Sequence, residues 1–227
     1  MLRLLMVLGL VSLGLTALPR LAIAETRILV LGDSILTWNR TGGNAIPQLL
    51  DRQPGFSATS RASPGAVFSD TPGLRRLIQR DIPAQLPAGT WDVIVVNGGG
   101  NDLARKCGCA PCDATLDTLV AADGKTGEIP AFLDLLYHRG RHVIWLDYFP
   151  VSVRGGPFAP CIDALATLET RMELAAGRRS WVSFVDAGDV YDRRDMSLYA
   201  RDLIHPTPKG SARIAAHLLR EILTRTP

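Results

Sequence analysis

Five short runs along the chain look like buried strands: Arg27–Leu31, Phe56–Arg61, Trp91–Asn97, His142–Asp147 and Trp181–Val185. Most are rich in Val and Ile and do not alternate strictly with polar residues, the pattern of parallel strands covered on both faces. Phe56–Arg61 is the weakest of them, being largely Ser, Ala and Thr. Between the runs lie helical stretches, at about Asn44–Arg52, Pro72–Arg80, Glu128–Arg139 and Ile162–Arg178. A last helix is the clearest. Thr207 can cap it, Pro208 suits its first turn, and Ile214, Leu218, Leu219 and Ile222 line one side. Strand and helix thus alternate five times, which predicts one three-layer α/β/α domain around a five-stranded, mainly parallel sheet. Ligands of such sheets bind beyond the carboxyl ends of the strands, so the residues that follow each strand carry the first candidates for chemistry.

The amino terminus has a different pattern. Arg3 is followed by a mostly apolar run from Leu4 to Leu18, and Ala22-Ile23-Ala24 closes it before Glu25. This is the order of a secretory signal peptide, with cleavage expected after Ala24. The run is short for a bilayer span and ends at Pro19-Arg20. The competing reading is an uncleaved anchor. Removing residues 1–24 takes away Arg3 and Arg20 and no acid, so 25 basic groups become 23 against 22 acidic ones. The remaining domain, 25–227, is nearly neutral, has no clustered basic run, and is not expected to bind nucleic acid. A periplasmic or secreted monomer with no membrane span after cleavage is the expectation. The 47% hydrophobic content excludes disordered and collagenous classes.

Export gives meaning to Cys107, Cys109, Cys112 and Cys161, because an even count in an oxidising compartment favours disulfides. Three pairings can be drawn. Cys107–Cys109 is the least comfortable, and the reading favours Cys107 or Cys109 bonded to Cys112, with the other reaching Cys161. A four-thiolate zinc site is the alternative, but C-x-C-x2-C is not the paired spacing of a zinc knuckle. Lys106, Gly108 and Pro111 suggest a surface loop pinned by cross-links.

Three stretches could carry chemistry. The first strand runs into Gly32-Asp33-Ser34-Ile35, where Ser34 can either cap a helix or present a hydroxyl and an unpaired N–H at the sheet edge. The third strand runs into Asn97-Gly98-Gly99-Gly100-Asn101-Asp102. This is either a flexible turn or a bared backbone with Asn101 as an amide donor, and it matches neither nucleotide-loop pattern. Asp202 and His205 stand three apart before the last helix, either as a surface ion pair or as a carboxylate orienting a base. Of the other histidines, His138 and His142 read as surface residues and His217 as partly buried. A serine needs a base to take its proton, a carboxylate to orient the base, and donors for the charge on the substrate oxygen. Together the three stretches supply all of these.

In Gly32-Asp33-Ser34, Arg61-Ala62-Ser63-Pro64-Gly65, Gly100-Asn101-Asp102 and Asp202-Leu203-Ile204-His205-Pro206, the chain resembles the SGNH hydrolases, also called the GDSL esterase/lipase family. The blocks fall in family order over residues 32–206, with Ile35 where the family name has Leu and Arg61 where Asn is often found. The resemblance implies a flavodoxin-like SGNH fold, with Ser34 as nucleophile, His205 as base and Asp202 as orienting acid. It implies an oxyanion hole from the N–H groups of Ser34 and Gly65 and the side chain of Asn101. Gly98, Gly99 and Asp102 are expected to be structural, and Asp33 to hold its turn. A G-x-S-x-G elbow is excluded, because Leu36 occupies the second glycine's place.

Trp38, Phe68, Tyr148 and Phe149 are candidates to floor the substrate site. No long apolar lid is visible. The expectation is an exported esterase for short acyl groups, such as acetyl, on a small ester or an acylated glycan or lipid. O-acetyltransferase, lysophospholipase and thioesterase chemistry on the same site are alternatives, and a non-catalytic periplasmic binding or interaction domain is the alternative from another class. Neither a metal nor an organic cofactor is expected.

Overall fold

A computed structural model of the chain describes residues 25–68 and 80–225. The expected signal segment 1–24 and the helix expected over Pro72–Arg80, apart from Arg80, lie outside these residues. Five strands form one sheet: β1 (Thr26–Leu31), β2 (Phe56–Ser60), β3 (Trp91–Val96), β4 (Gly140–Leu146) and β5 (Val182–Val185). Their order is β2-β1-β3-β4-β5, and every pair is parallel. This is the flavodoxin-like order, and its crossover direction reverses between β1 and β3.

Helices cover both faces. They are α1 (Ser34–Thr37), α2 (Ile46–Asp51), α3 (Asp113–Leu119), α4 (Glu128–Leu136), α5 (Ile162–Gly177) and α6 (Pro208–Arg225). Each central strand sends alternate residues to opposite cores. Leu29, Leu31, Ile94, Val96, Val143 and Trp145 pack with Leu119, Ile129, Leu133, Leu168 and Met172 from α3, α4 and α5. Ile28, Val30, Val93, Val95, Ile144 and Leu146 pack with Leu50, Ile214, Leu218 and Ile222 from α2 and α6. Double coverage explains why these strands lack alternation in sequence. Thr207 caps α6 as expected, its Oγ1 accepting from the Gly210 N–H at 3.2 Å.

Two expectations need correction. His142 is not a surface residue. It lies on β4 with 7% exposure, and its Nε2 is 2.8 Å from the Ser183 hydroxyl on β5. The cysteine stretch is not loop throughout, because Leu103–Cys107 winds as a π-helical turn and Asp113 starts α3. The cysteines pair as Cys107–Cys112 and Cys109–Cys161, with Cα separations of 5.3 and 4.5 Å. The first closes the turn on itself, and the second ties it to the start of α5. Reduction is expected to lower stability by roughly 2–4 kcal/mol per bridge. Melting followed by circular dichroism with and without reductant measures this, and an unchanged midpoint would show that the bridges do not form.

Candidate active site

The site is built where β1 and β3 end side by side. Gly32 closes β1 at φ +142°, and a Cβ there would come within 2.5 Å of the Asn97 carbonyl. Only glycine lets the two strand ends approach this closely. Buried Gln85 then holds the glycine on both sides. Its Oε1 accepts from the Gly32 N–H at 2.7 Å, and its Nε2 donates to the Gly32 carbonyl at 2.9 Å. Nothing in the sequence pattern around Gln85 marks this clamp.

Asp33, not Ser34, caps α1: its Oδ1 accepts from the Ile35 N–H at 2.9 Å. Ser34 is the first helical residue, so its N–H has no acceptor within the helix. The hydroxyl of Tyr148, just past β4, donates to Asp33 Oδ2 at 2.6 Å and accepts from the Gly100 N–H at 3.0 Å. Burial pushes the Asp33 carboxyl above its ordinary range, although hydrogen bonds from Tyr148 and Ile35 favour its charged form. Asn101 Nδ2 donates to the Ala66 carbonyl at 3.0 Å and more weakly to Asp33 Oδ2 at 3.4 Å. Asp102 accepts from the Phe68 N–H at 3.1 and 3.2 Å, a structural use of its carboxylate.

The loop before α6 brings in an imidazole. His205 Nε2 lies 2.8 Å from Ser34 Oγ, and Nδ1 lies 2.7 Å from Asp202 Oδ2. Asp202 and His205 do not share a helical turn. Leu203 between them is left-handed at φ +59°, and Asp202 Oδ1 accepts from the N–H groups of Ile204 and His205 at 3.0 and 3.1 Å. Partial burial acts to raise the Asp202 pKa, but the hydrogen bonds from His205 and these two N–H groups outweigh it and hold the pKa below the ordinary carboxylate range. An aromatic group supports the loop from beneath: Phe149 stacks on Tyr191 at 4.1 Å, and Tyr199 meets both edge-on. The Tyr199 hydroxyl donates to the Pro150 carbonyl at 2.8 Å, and that of Tyr191 to the Leu198 carbonyl.

A cavity of about 290 Å³ opens at Ser34, lined also by Trp38, Gly65, Asn101, Tyr148, Phe149 and His205. Val151, Phe158 and Leu165 add to its largely apolar wall; they stand in no motif, and the sequence pattern does not mark them. Phe68 is a correction. It is 4% exposed and turned into the core against Phe132 and Trp145, because Asp102 holds its backbone with the ring facing inward. Gly65 takes φ +70° beside the Arg105 guanidinium, which a Cβ would meet at 2.6 Å. An imidazole hydrogen-bonded to both a hydroxyl and a carboxylate, beside an amide and a backbone N–H at a helix start, can activate a nucleophile and receive negative charge on an oxygen.

Among the described residues, one trio could hold a metal ion: Asp147, Glu169 and Asp186, with ligand atoms within 4.8 Å of one another. Asp147 and Glu169 line a neighbouring pocket of about 180 Å³, away from Ser34. Burial, then mutual repulsion, pushes the Asp147 carboxyl well above its ordinary range. The folded state therefore holds this proton more tightly than the unfolded chain. The resulting stability is complete below about pH 4, the ordinary carboxyl value, and is lost as pH rises through the raised value. Asp147→Asn is expected to raise the melting temperature at pH 7 and not at pH 4. An equal change at both pH values would contradict the shift.

The GDSL-like Lipase/Acylhydrolase family model matches residues 30–213. Among curated proteins, none matches the chain in sequence. An acetylxylan esterase from Geobacillus stearothermophilus, solved as a catalytic mutant, superposes with a TM-score of 0.60 at 17% identity, covering 88% of this chain and 94% of its own. The alpha/beta hydrolase LAE5 from the metagenome of Lake Arreo, Spain, superposes with a TM-score of 0.63 at 18% identity, over 90% and 98% of the two chains. A lipolytic protein of the G-D-S-L family from Desulfitobacterium hafniense, described as putative, gives 0.58 at 14% identity, over 86% and 99%. With the family model covering the strand ends, the cavity and the start of α6, the chain belongs to the GDSL-like lipase/acylhydrolase family and is a carboxylic ester hydrolase.

Proposed function

We propose that the protein is an exported serine esterase that removes short acyl groups from esters, with Ser34 as nucleophile, His205 as general base and Asp202 as the acid that orients it. The observation that carries this reading is the unbroken chain of hydrogen bonds from Asp202 through His205 to Ser34. Ser34 Oγ attacks the ester carbonyl while its proton passes to His205 Nε2. The Asp202 carboxylate steadies the resulting imidazolium through Nδ1–H. The carbonyl oxygen, now negative, lies against the N–H groups of Ser34 and Gly65 and the Asn101 amide, whose weak 3.4 Å bond to Asp33 is the one to give way. His205 then protonates the departing alcohol, leaving an acyl group on Ser34. Water, deprotonated by the same nitrogen, releases the acid.

The 290 Å³ cavity, largely apolar, suits a short acyl chain. Acetyl on a glycan is the favoured substrate, since one fold neighbour is an acetylxylan esterase. The apolar run ahead of Ala24 and the two disulfides support export to the periplasm or beyond. No described helix is long and apolar enough to cross a membrane.

Ser34→Ala is expected to abolish turnover of p-nitrophenyl acetate, and turnover indifferent to this change would reject the assignment. Asn101→Ala is expected to lower kcat by about 10²–10³-fold with the fold intact; a loss below threefold would remove it from the oxyanion hole. The base works only as neutral imidazole, so kcat/KM is expected to fall as the pH is lowered and that ring takes up a proton. Asp202, held below the ordinary carboxylate range, stays ionised through that change, so a single group governs the acid limb. A rate flat from about pH 5 to 8 would contradict this.

A further inference from the structure

The imidazole of His205 has a neighbour that the triad does not require. Trp38 stacks on it face to face, with ring centroids 3.7 Å apart and planes 5° from parallel. The two hydrogen bonds of His205 leave through Nδ1 and Nε2 in the plane of the ring. Neither braces a face of the ring. The Trp38 indole covers one.

The backbone that carries the indole is anchored from both sides of the site. The Trp38 backbone N–H donates to the Ser34 carbonyl at 2.9 Å, so the residue belongs to the nucleophile's own turn. Asn39, next in the chain, donates from Nδ2 to the Pro206 carbonyl at 2.9 Å and to the Ser211 hydroxyl at 3.0 Å. Its backbone takes a left-handed conformation at φ +66° to do so. The segment that carries Trp38 is thereby tied to the segment that carries His205. The charged groups that face the imidazole are Asp202 on its own loop and Asp33 across the nucleophile turn.

We propose that Trp38 is a positioning residue for the general base: its indole braces one face of the His205 ring against tilting out of its two hydrogen bonds and stabilises that ring once it has taken the Ser34 proton. The inference rests on the reading of His205 as the base. The π face of tryptophan attracts a cation placed over it, and the imidazolium exists only between attack on the ester and protonation of the leaving group. The contact is therefore stronger when the ring is charged than when it is neutral, which is what lowers a barrier. The same side chain lines the acyl cavity, so the kinetic effects of changing it must be separated into binding and chemistry.

The test uses Trp38→Leu, which keeps apolar bulk and removes the π face, and Trp38→Phe, which keeps a smaller one. Trp38→Leu is expected to lower kcat about tenfold with little change in KM, and to move the acid limb of kcat/KM about half a unit to lower pH. Trp38→Phe is expected to retain most of both properties. A second readout does not depend on turnover. A protonated imidazole against an indole quenches its emission, so the difference in fluorescence between the parent and Trp38→Phe is expected to fall with decreasing pH. His205→Asn is expected to abolish that fall. A Trp38→Leu variant altered in KM alone, or a difference emission flat across pH, would reduce Trp38 to a wall of the cavity and overturn the proposal. Persistent turnover by His205→Asn would instead defeat the assignment of the base, and the fluorescence would still report the stack.

Discussion

Two hydrogen bonds to one imidazole join the ends of this fold. His205 reaches Asp202 three residues away and Ser34 at a separation of 171 residues. Everything else near the site serves to bring those atoms within 3 Å. The sheet does most of it, because its order reverses direction between β1 and β3 and leaves a crevice at their carboxyl ends. Gly32 allows the ends to close, Gln85 holds that closure, and Asp33 caps the turn from which Ser34 projects.

The imidazole side is assembled differently. No strand delivers His205. A loop does, and loops hold geometry only when their backbone groups and side chains are tied down. Here the ties are the Asp202 carboxylate on two N–H groups, the Tyr191 and Tyr199 hydroxyls on loop carbonyls, and the Asn39 amide on Pro206. Leu203 accepts a left-handed backbone between the two functional residues, a strain of order 1–3 kcal/mol that the surrounding bonds must offset. The placement of His205 thus depends on contacts spread over four separate stretches of chain.

The difference between these two sides explains what could be read from sequence. Strands β1, β3 and β4 announce themselves because burial on both faces demands apolar runs, and α6 because one face alone is buried. Ser34, Asn101, Asp202 and His205 stand in short motifs at strand ends or before a helix, where local pattern suffices. Gln85, Tyr191 and Tyr199 act through bonds to distant backbone groups, which leave no periodic trace. Phe68 and Tyr148 looked alike, as aromatic residues near motifs. A carboxylate on the Phe68 N–H turned one ring into the core, while the Tyr148 hydroxyl found Asp33 and stayed at the cavity. His142 was misread because its partner, Ser183, lies on a neighbouring strand 41 residues on.

The central claim is that Ser34 alone among the serines is made nucleophilic, and that His205 makes it so. Labelling with a fluorophosphonate ester, followed by peptide mass spectrometry, tests it most directly. The account predicts one adduct per chain, on the peptide that holds Ser34, and its loss when His205 is replaced by Asn. An adduct on another residue, or labelling of Ser34 at an undiminished rate in the His205→Asn variant, would contradict it.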